Sequence, residues 1–300
     1  MKIATYNLRN FYDADTFIDE VAEESVKEEF FNKRVAYFKD LFRKEDLDII
    51  CLQEVGGEKG VSIIGDDLGY NYFFAKPDRR GIRMAVLYKK SLDSHIVCES
   101  VSLGDLFIPS IQEEGDTKNI LPIKQRRDVL VIDLDNYKGK KLRLVTFHLK
   151  SMLPIYLEGE DRDSEQKIHT EAKFRCIFYK MMELKGLRAF VDKTLDESRE
   201  VILLGDFNEH NNGSGLDILK SSEKEERLLQ DILVGYKGDA TTHIHRGNNL
   251  TFDTMIVSQE IANLVESVSV LNDDLKCHSD IPLDEEIIGS DHAMVVLTLK

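Results

Sequence analysis

Short apolar runs recur along the chain, separated by longer charged segments, and most of the runs stop abruptly on polar residues. Four consecutive apolar residues, Val201-Ile202-Leu203-Leu204, read as a strand buried on both faces, ending on Gly205-Asp206-Phe207-Asn208. Lys2–Leu8 reads as a strand that enters directly from the first residue. Further strands are predicted over Asp48–Val55, Asn71–Lys76, Arg83–Lys89, His95–Leu103, Asp128–Leu134, Leu142–Leu149, Leu250–Val257, Val265–Leu271 and Ala293–Leu299. Helical spacing dominates twice. Phe31, Val35, Phe38 and Phe42 lie on one face of a helix over 21–44. Phe174, Ile177, Phe178 and Met181 mark the apolar face of a long helix, or of a helix pair broken near Gly186, over 164–196.

The connecting segments are less regular. Gly56–Gly69 is expected to be loop with a short helix, and Asn136-Tyr137-Lys138-Gly139 a hairpin turn. Gly104–Gln125 lacks periodicity and reads as a surface insertion, Ser151–Asp163 as an acidic loop. Glu209–Asn249 is polar and irregular, with a helix expected near 215–233. Many strands with few, long helices fit an α/β architecture of two sheets packed face to face with helices outside, in one domain over 1–300.

Composition narrows the picture. Forty-two per cent of the 300 residues are hydrophobic, enough for a large core. The net charge of −15 argues against a broad basic surface for nucleic acid, though not against an enzyme that meets a few phosphates through a metal ion. The four cysteines form no CxxC or Cys/His zinc pattern, and Cys51 lies inside an apolar run. Free thiols and a cytoplasmic location are therefore expected. No signal peptide is expected at the amino terminus, and no apolar run approaches membrane-spanning length.

The candidate chemistry sits where strands stop: Asn7, Glu54, His148, Asp206, Asn208, Asp253, Asp291 and His292. Each has a bland alternative, such as a turn for Asn7 or Asn208, a lysine partner for Glu54, or a structural role for His148. Asp253 is harder to dismiss, because an acid inside an apolar strand needs a partner. Together these residues suit hydrolysis of a phosphate ester. Mg²⁺ takes oxygen ligands, with Glu54 the first candidate and Asp291 the second. Asp206 would orient or deprotonate a water, Asn7 and Asn208 would fix it and the phosphate, and Asp253 would orient His292. His243 and His245 alternate in a polar stretch and read either as solvated or as a transition-metal pair.

Taken in order, Lys2-Ile3-Ala4-Thr5-Tyr6-Asn7-Leu8-Arg9, Leu52-Gln53-Glu54-Val55, Phe147-His148-Leu149-Lys150-Ser151, Gly205-Asp206-Phe207-Asn208, Phe252-Asp253-Thr254-Met255-Ile256-Val257-Ser258 and Ser290-Asp291-His292 resemble the motifs of the endonuclease/exonuclease/phosphatase superfamily. The resemblance implies a four-layer α/β sandwich and a phosphodiesterase or phosphomonoesterase dependent on Mg²⁺, with Mn²⁺ as a substitute. Asn7 followed by Arg9, and His148, resemble the deoxyribonuclease I branch; the His-Leu-Lys-Ser run before an acidic loop also resembles secreted bacterial nucleases. By that likeness Glu54 holds the metal, His148 and His292 are acid/base histidines, and Asp206 and Asn208 position nucleophile and phosphate. Asp253 orients His292, Asp291 assists metal or phosphate, and Arg9 with Arg127 (or Arg126) meets the phosphate.

Two departures stand out. Ile82 falls where the deoxyribonuclease I branch carries the glutamate that orients the first histidine, which leaves the partner of His148 open. The calcium-associated disulfides of secreted members have no counterpart. The resulting expectation is a metal-dependent nuclease acting on DNA, with basic residues available at Arg9, Arg79, Arg80, Arg126, Arg127 and Lys150. The alternative is a phosphatase or phosphodiesterase of a small-molecule or lipid phosphate, toward which the acidity leans. A binding protein on a dead scaffold is disfavoured by the nearly full residue set, and no protein partner is inferred.

Overall fold

The computed structural model describes residues 1–16, 24–107, 122–161, 163, 165–210, 213–277 and 288–300. β1 (Lys2–Phe11) leads through α1 (Glu24–Glu45) to β2 (Ile49–Val55), α2 (Lys59–Leu68), β3 (Tyr70–Phe74), β4 (Arg83–Lys89) and β5 (Ile96–Val101). A short ribbon of β6 (Asp105–Phe107) and β7 (Pro122–Lys124) precedes β8 (Val129–Tyr137), β9 (Lys140–His148), α3 (Gln166–Asp196) and β10 (Arg199–Asp206). Then come α4 (Gly215–Lys220), β11 (Leu229–Asp231), β12 (His243–His245), β13 (Asn248–Leu250), β14 (Asp253–Ser258), α5 (Gln259–Ala262), β15 (Val265–Leu271) and β16 (Met294–Leu299).

Two six-stranded sheets result, ordered β15-β16-β1-β2-β4-β3 and β11-β14-β10-β9-β8-β5. Both are mixed: β1 pairs parallel with β2 and β9 with β10, while the other pairings within them are antiparallel. The two-residue periodicity of a strand explains how they stack. Ile3 joins Ile202 and Leu204 in a core between the sheets, while its neighbour Ala4 turns the other way onto Phe38 and Phe42 of α1. Val201 and Leu203 likewise turn outward onto Leu184, Leu187 and Val191 of α3. Helices, sheet, sheet and helices therefore form four layers, as expected, and each fully buried Leu or Ile contributes roughly 1.5–3 kcal/mol.

Of the two readings of 164–196 the long helix holds: α3 runs unbroken through Gly186, because Leu184, Leu187 and Val191 are fully buried on either side and offset the ~1 kcal/mol cost of a mid-helix glycine. Other expectations need correction. Phe174, Ile177 and Phe178 do share one side of α3, and two of their rings stack, but Phe174 and Ile177 are exposed. The inward side there is Ala172, Cys176, Tyr179, Lys180 and Glu183, since this part of the helix packs beneath polar backbone that needs partners. The helix expected near 215–233 shortens to α4; Ser221 turns extended, and Leu229–Asp231 adds to the sheet edge beside β14. The hairpin between β8 and β9 turns on Lys138-Gly139, both with positive φ, as a two-residue type I′ turn requires. Of the expected insertion, residues 108–121 lie outside the described residues, as do 21–23 of the first helix. No helix among the described residues is long and apolar enough to cross a membrane, and the four cysteines form no disulfide.

Candidate active site

Register brings the polar strand ends together. In the second sheet β9 and β10 finish level where the antiparallel β14 begins, so Asp206 lies opposite His148 on one side and Asp253 on the other. Gly205 permits this closeness: its φ is +150°, and a Cβ there would meet the Phe147 carbonyl oxygen at 2.1 Å. Beneath the site Gln53 donates to both Thr5 and Thr146, tying the two sheets through a buried polar bridge.

The first sheet contributes through bulges. Pairing of β1 slips between Asn7 and Phe11, and that of β2 with β4 slips between Leu52 and Val55. Arg9, Asn10, Glu54 and Asn208 all take left-handed backbone, with φ of 50°, 47°, 58° and 49°. Such conformations cost free energy, persist where surrounding contacts enforce them, and here re-aim side chains toward one point. Glu54 is held by Asn10 N (2.8 Å) and faces Asn7 Nδ2 (3.4 Å).

Asp206 is the hub. Its Oδ2 accepts from Asn7 Nδ2 (3.0 Å) and Asn208 Nδ2 (3.2 Å) and lies 3.4 Å from His148 Nε2, while Oδ1 accepts from Asn208 N (2.7 Å). Burial, reinforced by the charge of Asp253, raises its pKa above the ordinary carboxylate range. His292 Nδ1 is bonded to Asp253 Oδ2 at 2.7 Å. Burial alone would lower the His292 pKa, but the charge and hydrogen bond of Asp253 outweigh it and the net shift is well upward. His148 goes the other way, pushed down by burial and then by Arg127 and His292. Its Nδ1 is buried and has no hydrogen-bond partner, and Ile82, in the place of the missing glutamate, is buried too.

All ten residues singled out in the sequence join this network. Arg9 Nε lies 3.7 Å from Asp291 Oδ2, and Ser290 Oγ ties the Asp291 loop to the Asn7 carbonyl. Arg127 is less free than expected: Nε meets Asp78 Oδ2 at 3.0 Å and a terminal nitrogen donates to the His148 carbonyl at 3.2 Å. Arg126 sits over the Tyr179 ring, and Lys150 Nζ folds back onto Ser151 and Leu153.

Four residues went unforeseen. Arg34 of α1 is buried and donates to the carbonyls of Leu8, Asn10, Ile288 and Gly289, tying the end of β1 to the Asp291 loop. Lys180 of α3 donates to the Asn208 carbonyl, and Glu183 accepts from Lys150 N. Asp78 accepts from Arg80 N and Ile82 N, which the Pro-Asp-x-x-Gly turn could have suggested. His243 was noticed with the wrong partner: its ring centroid lies 4.6 Å from that of His292 and 6.3 Å from that of His245.

The sequence profile of the Endonuclease/Exonuclease/phosphatase family matches residues 4–292, spanning all of these positions. The chain belongs to that family. No curated protein matches it. Among solved structures, humanized TDP2 from D. rerio is similar over 100% of this chain and 98% of its own, at 15% identity and a TM-score of 0.59. The 3′ phosphatase NExo from Neisseria, bound to product DNA hairpin, covers 100% and 99% at 16% identity and TM-score 0.57. The human Nocturnin catalytic domain with bound sulfate anion covers 99% and 92% at 17% identity and TM-score 0.56. These likenesses establish the shared fold.

Members of the endonuclease/exonuclease/phosphatase family are divalent-metal-dependent hydrolases of phosphoester bonds. The donor set here fits such an ion. Asp253 Oδ1 is buried without a hydrogen-bond partner, and ligand atoms of Asp206, Asp253 and His292 lie within 4.8 Å of one another. With Glu54, Asp291 and the amides of Asn7 and Asn208 alongside, the site is mainly oxygen, the donor a hard cation takes.

Proposed function

We propose that the chain is a Mg²⁺-dependent phosphodiesterase that hydrolyses DNA, with Mn²⁺ able to replace Mg²⁺. The observation that carries this reading is one small buried cluster in which Asp206, its carboxyl pKa raised, stands beside a His292 that Asp253 holds in its protonated form. Glu54 and Asp291 would hold the metal, which when bound polarises the phosphoryl oxygen and offsets developing negative charge. Asp206, raised toward neutrality and oriented by Asn7 and Asn208, takes a proton from the attacking water. The water oxygen forms the new bond to phosphorus, and the bond to the leaving oxygen breaks. His292, kept protonated by Asp253, gives its proton to that leaving oxygen. Neutral His148 lies against Asp206 and Glu54 and would fix the phosphate, with Arg127 at the His148 carbonyl and Arg9 beside Asp291 supplying positive charge.

Two solved relatives in fold carry DNA, a TDP2 with single strand DNA product and NExo with a DNA hairpin, which supports DNA as the substrate here. A second reading, a phosphatase of small-molecule or lipid phosphates, is favoured by a specific observation. Arg126, Arg127 and Lys150 are all engaged within the protein, and the net charge is −15. The three cores share the two sheets, which supports one working domain over 1–300, and cysteines that form no disulfide support a cytoplasmic location.

The test is incubation with supercoiled plasmid, with and without Mg²⁺, beside a panel of phosphomonoesters assayed for released phosphate. Metal-dependent nicking that disappears in Asp206→Ala and His292→Ala is expected. Phosphate release with intact plasmid would move the substrate to the small-molecule class. Unchanged activity in both variants would sink the mechanism.

A further inference from the structure

We propose that His243, with His292 and Asp291 of the catalytic cluster, completes a transition-metal site, set apart from the oxygen-rich Mg²⁺ site by its two imidazoles, whose occupation by a zinc-class ion shuts the enzyme off. A nitrogen of each ring and a carboxylate oxygen of Asp291 lie within 4.8 Å of one another. The backbone puts them there: His243 and His292 face each other across an antiparallel β-bridge, so their side chains project together. Behind His243 the Phe252 ring stacks at 5.4 Å and fixes the plane of the imidazole.

Hydrogen bonding fixes both tautomers in the form a metal ligand needs. His243 Nδ1 lies 2.9 Å from the Asp291 carbonyl oxygen, and His292 Nδ1 2.7 Å from Asp253 Oδ2. Both partners accept, so both Nδ1 atoms carry hydrogen and both Nε2 atoms, in the neutral rings, offer lone pairs. A ligating histidine that donates its other nitrogen to a carbonyl or carboxylate is the usual support around a bound transition metal. Two imidazoles and one carboxylate suit Zn²⁺ or Co²⁺ and do not suit Mg²⁺. Zinc–nitrogen bonds of about 2.0 Å in tetrahedral geometry ask for ligand spacings of roughly 3.3 Å, so the cluster must close by on the order of 1 Å. Arg9 is the group an incoming cation displaces from Asp291, and at 3.7 Å its contact is too long for a hydrogen bond. The side chains of His292 and Asp291 are partly open to solvent, which gives an ion access.

With His292 Nδ1 taken up by Asp253, an ion seated here occupies Nε2, the atom that would serve the leaving oxygen, so metal binding and proton donation exclude each other. The inhibition, though not the binding, rests on the reading of His292 given above.

The experiment is a Co²⁺ titration of the full chain at mildly alkaline pH, followed by the visible d–d absorption of the bound ion and its loss on adding Zn²⁺. Wild-type protein should show one saturable equivalent. H243Q should bind at least about tenfold more weakly with an altered spectrum, the effect of losing one of three ligands, while H245Q should match wild type. Thermal melting confirms that both variants fold. In parallel, the Zn²⁺ concentration that halves Mg²⁺-dependent hydrolysis, referred to each variant's own rate, should rise at least about tenfold in H243Q. An unchanged Co²⁺ spectrum and affinity in H243Q would overturn the site. Should the wild type hydrolyse no phosphoester, the functional reading falls while the cobalt titration still decides the metal site.

Discussion

His292 Nδ1 and Asp253 Oδ2 stand 2.7 Å apart, and Asp253 is wholly buried where its strand begins. No comparable acceptor reaches His148 Nδ1, and the two histidines are driven to opposite protonation states in one site. The sign for catalysis follows. A raised pKa keeps His292 charged to higher pH, so activity that needs its proton is lost only as pH climbs through that raised value. Asp253→Asn removes the charge and lowers the His292 pKa. The alkaline limb of the kcat/KM profile should therefore move to lower pH, with a loss of roughly 10²–10⁴ at neutrality. A limb that stays in place in this variant would assign it to some group other than His292.

Arg34 predicts a second outcome. Its guanidinium reaches four main-chain carbonyls and lies against the rings of Phe11, Phe30 and Phe38, with burial lowering its pKa to about 10. Two of those carbonyls belong to the end of β1, near Glu54, and two to the loop that carries Asp291. Arg34→Met leaves them unpaired, at about 3 kcal/mol or more of stability. It should also weaken Mg²⁺ activation, because the two carboxylates lose their common tether. Urea unfolding and the Mg²⁺ dependence of the rate check the two effects. Wild-type values in both would remove Arg34 from the account.

How far the chain could be read in advance depends on the kind of element. Asn7, Glu54, His148 and Asp206 were legible because an apolar run that stops on a polar residue announces a strand end, and Asp253 because an acid inside an apolar strand needs a partner. That His148, Asp206 and Asp253 come to lie side by side was not, since register is set by sheet pairing and leaves no local trace. Arg34, Lys180 and Glu183 were hidden for another reason: on a helix a charged residue at an inward position looks like any surface charge. The same ambiguity inverted the face of α3 around Phe174. His243 finds His292 only through a bridge between distant segments, while alternation in sequence pointed to His245.

Lys180 gives a third prediction. Its side chain is wholly buried, donates to the Asn208 carbonyl and pairs with Glu209 at 3.0 Å. Burial lowers its pKa, and Glu209 and Asp206 partly restore it. The contact holds Asn208 in left-handed backbone, from which Nδ2 and N reach Asp206. Lys180→Met should lower kcat about tenfold and stability by roughly 1–3 kcal/mol. Adding Glu209→Met removes the stranded charge and should recover most of the stability. It should not recover kcat, because the Asn208 carbonyl stays unheld. Recovery of both in the double variant would make Lys180 a purely structural residue.

Glu183 offers a test through stability alone. It is buried on the inward side of α3, accepts from Lys150 N at 2.8 Å, and burial pushes its pKa from 4.5 up to about 7 against the pull of Lys150, Arg127 and Arg126. Below pH 4.5 folded and unfolded chains both hold the proton, and the group contributes no penalty. Between 4.5 and 7 the unfolded chain releases its proton first, so stability falls as pH rises, and above 7 the full penalty applies. The difference of 2.5 pH units corresponds to about 3 kcal/mol at about 1.4 kcal/mol per unit. Glu183→Gln keeps an acceptor oxygen for the Lys150 amide and cannot ionise. Its stability relative to wild type should rise from near zero at about pH 4 to roughly 3 kcal/mol at about pH 8 in urea unfolding. A difference that does not change with pH would mean that Glu183 ionises at its ordinary value and that burial beneath the Lys150 loop costs it nothing.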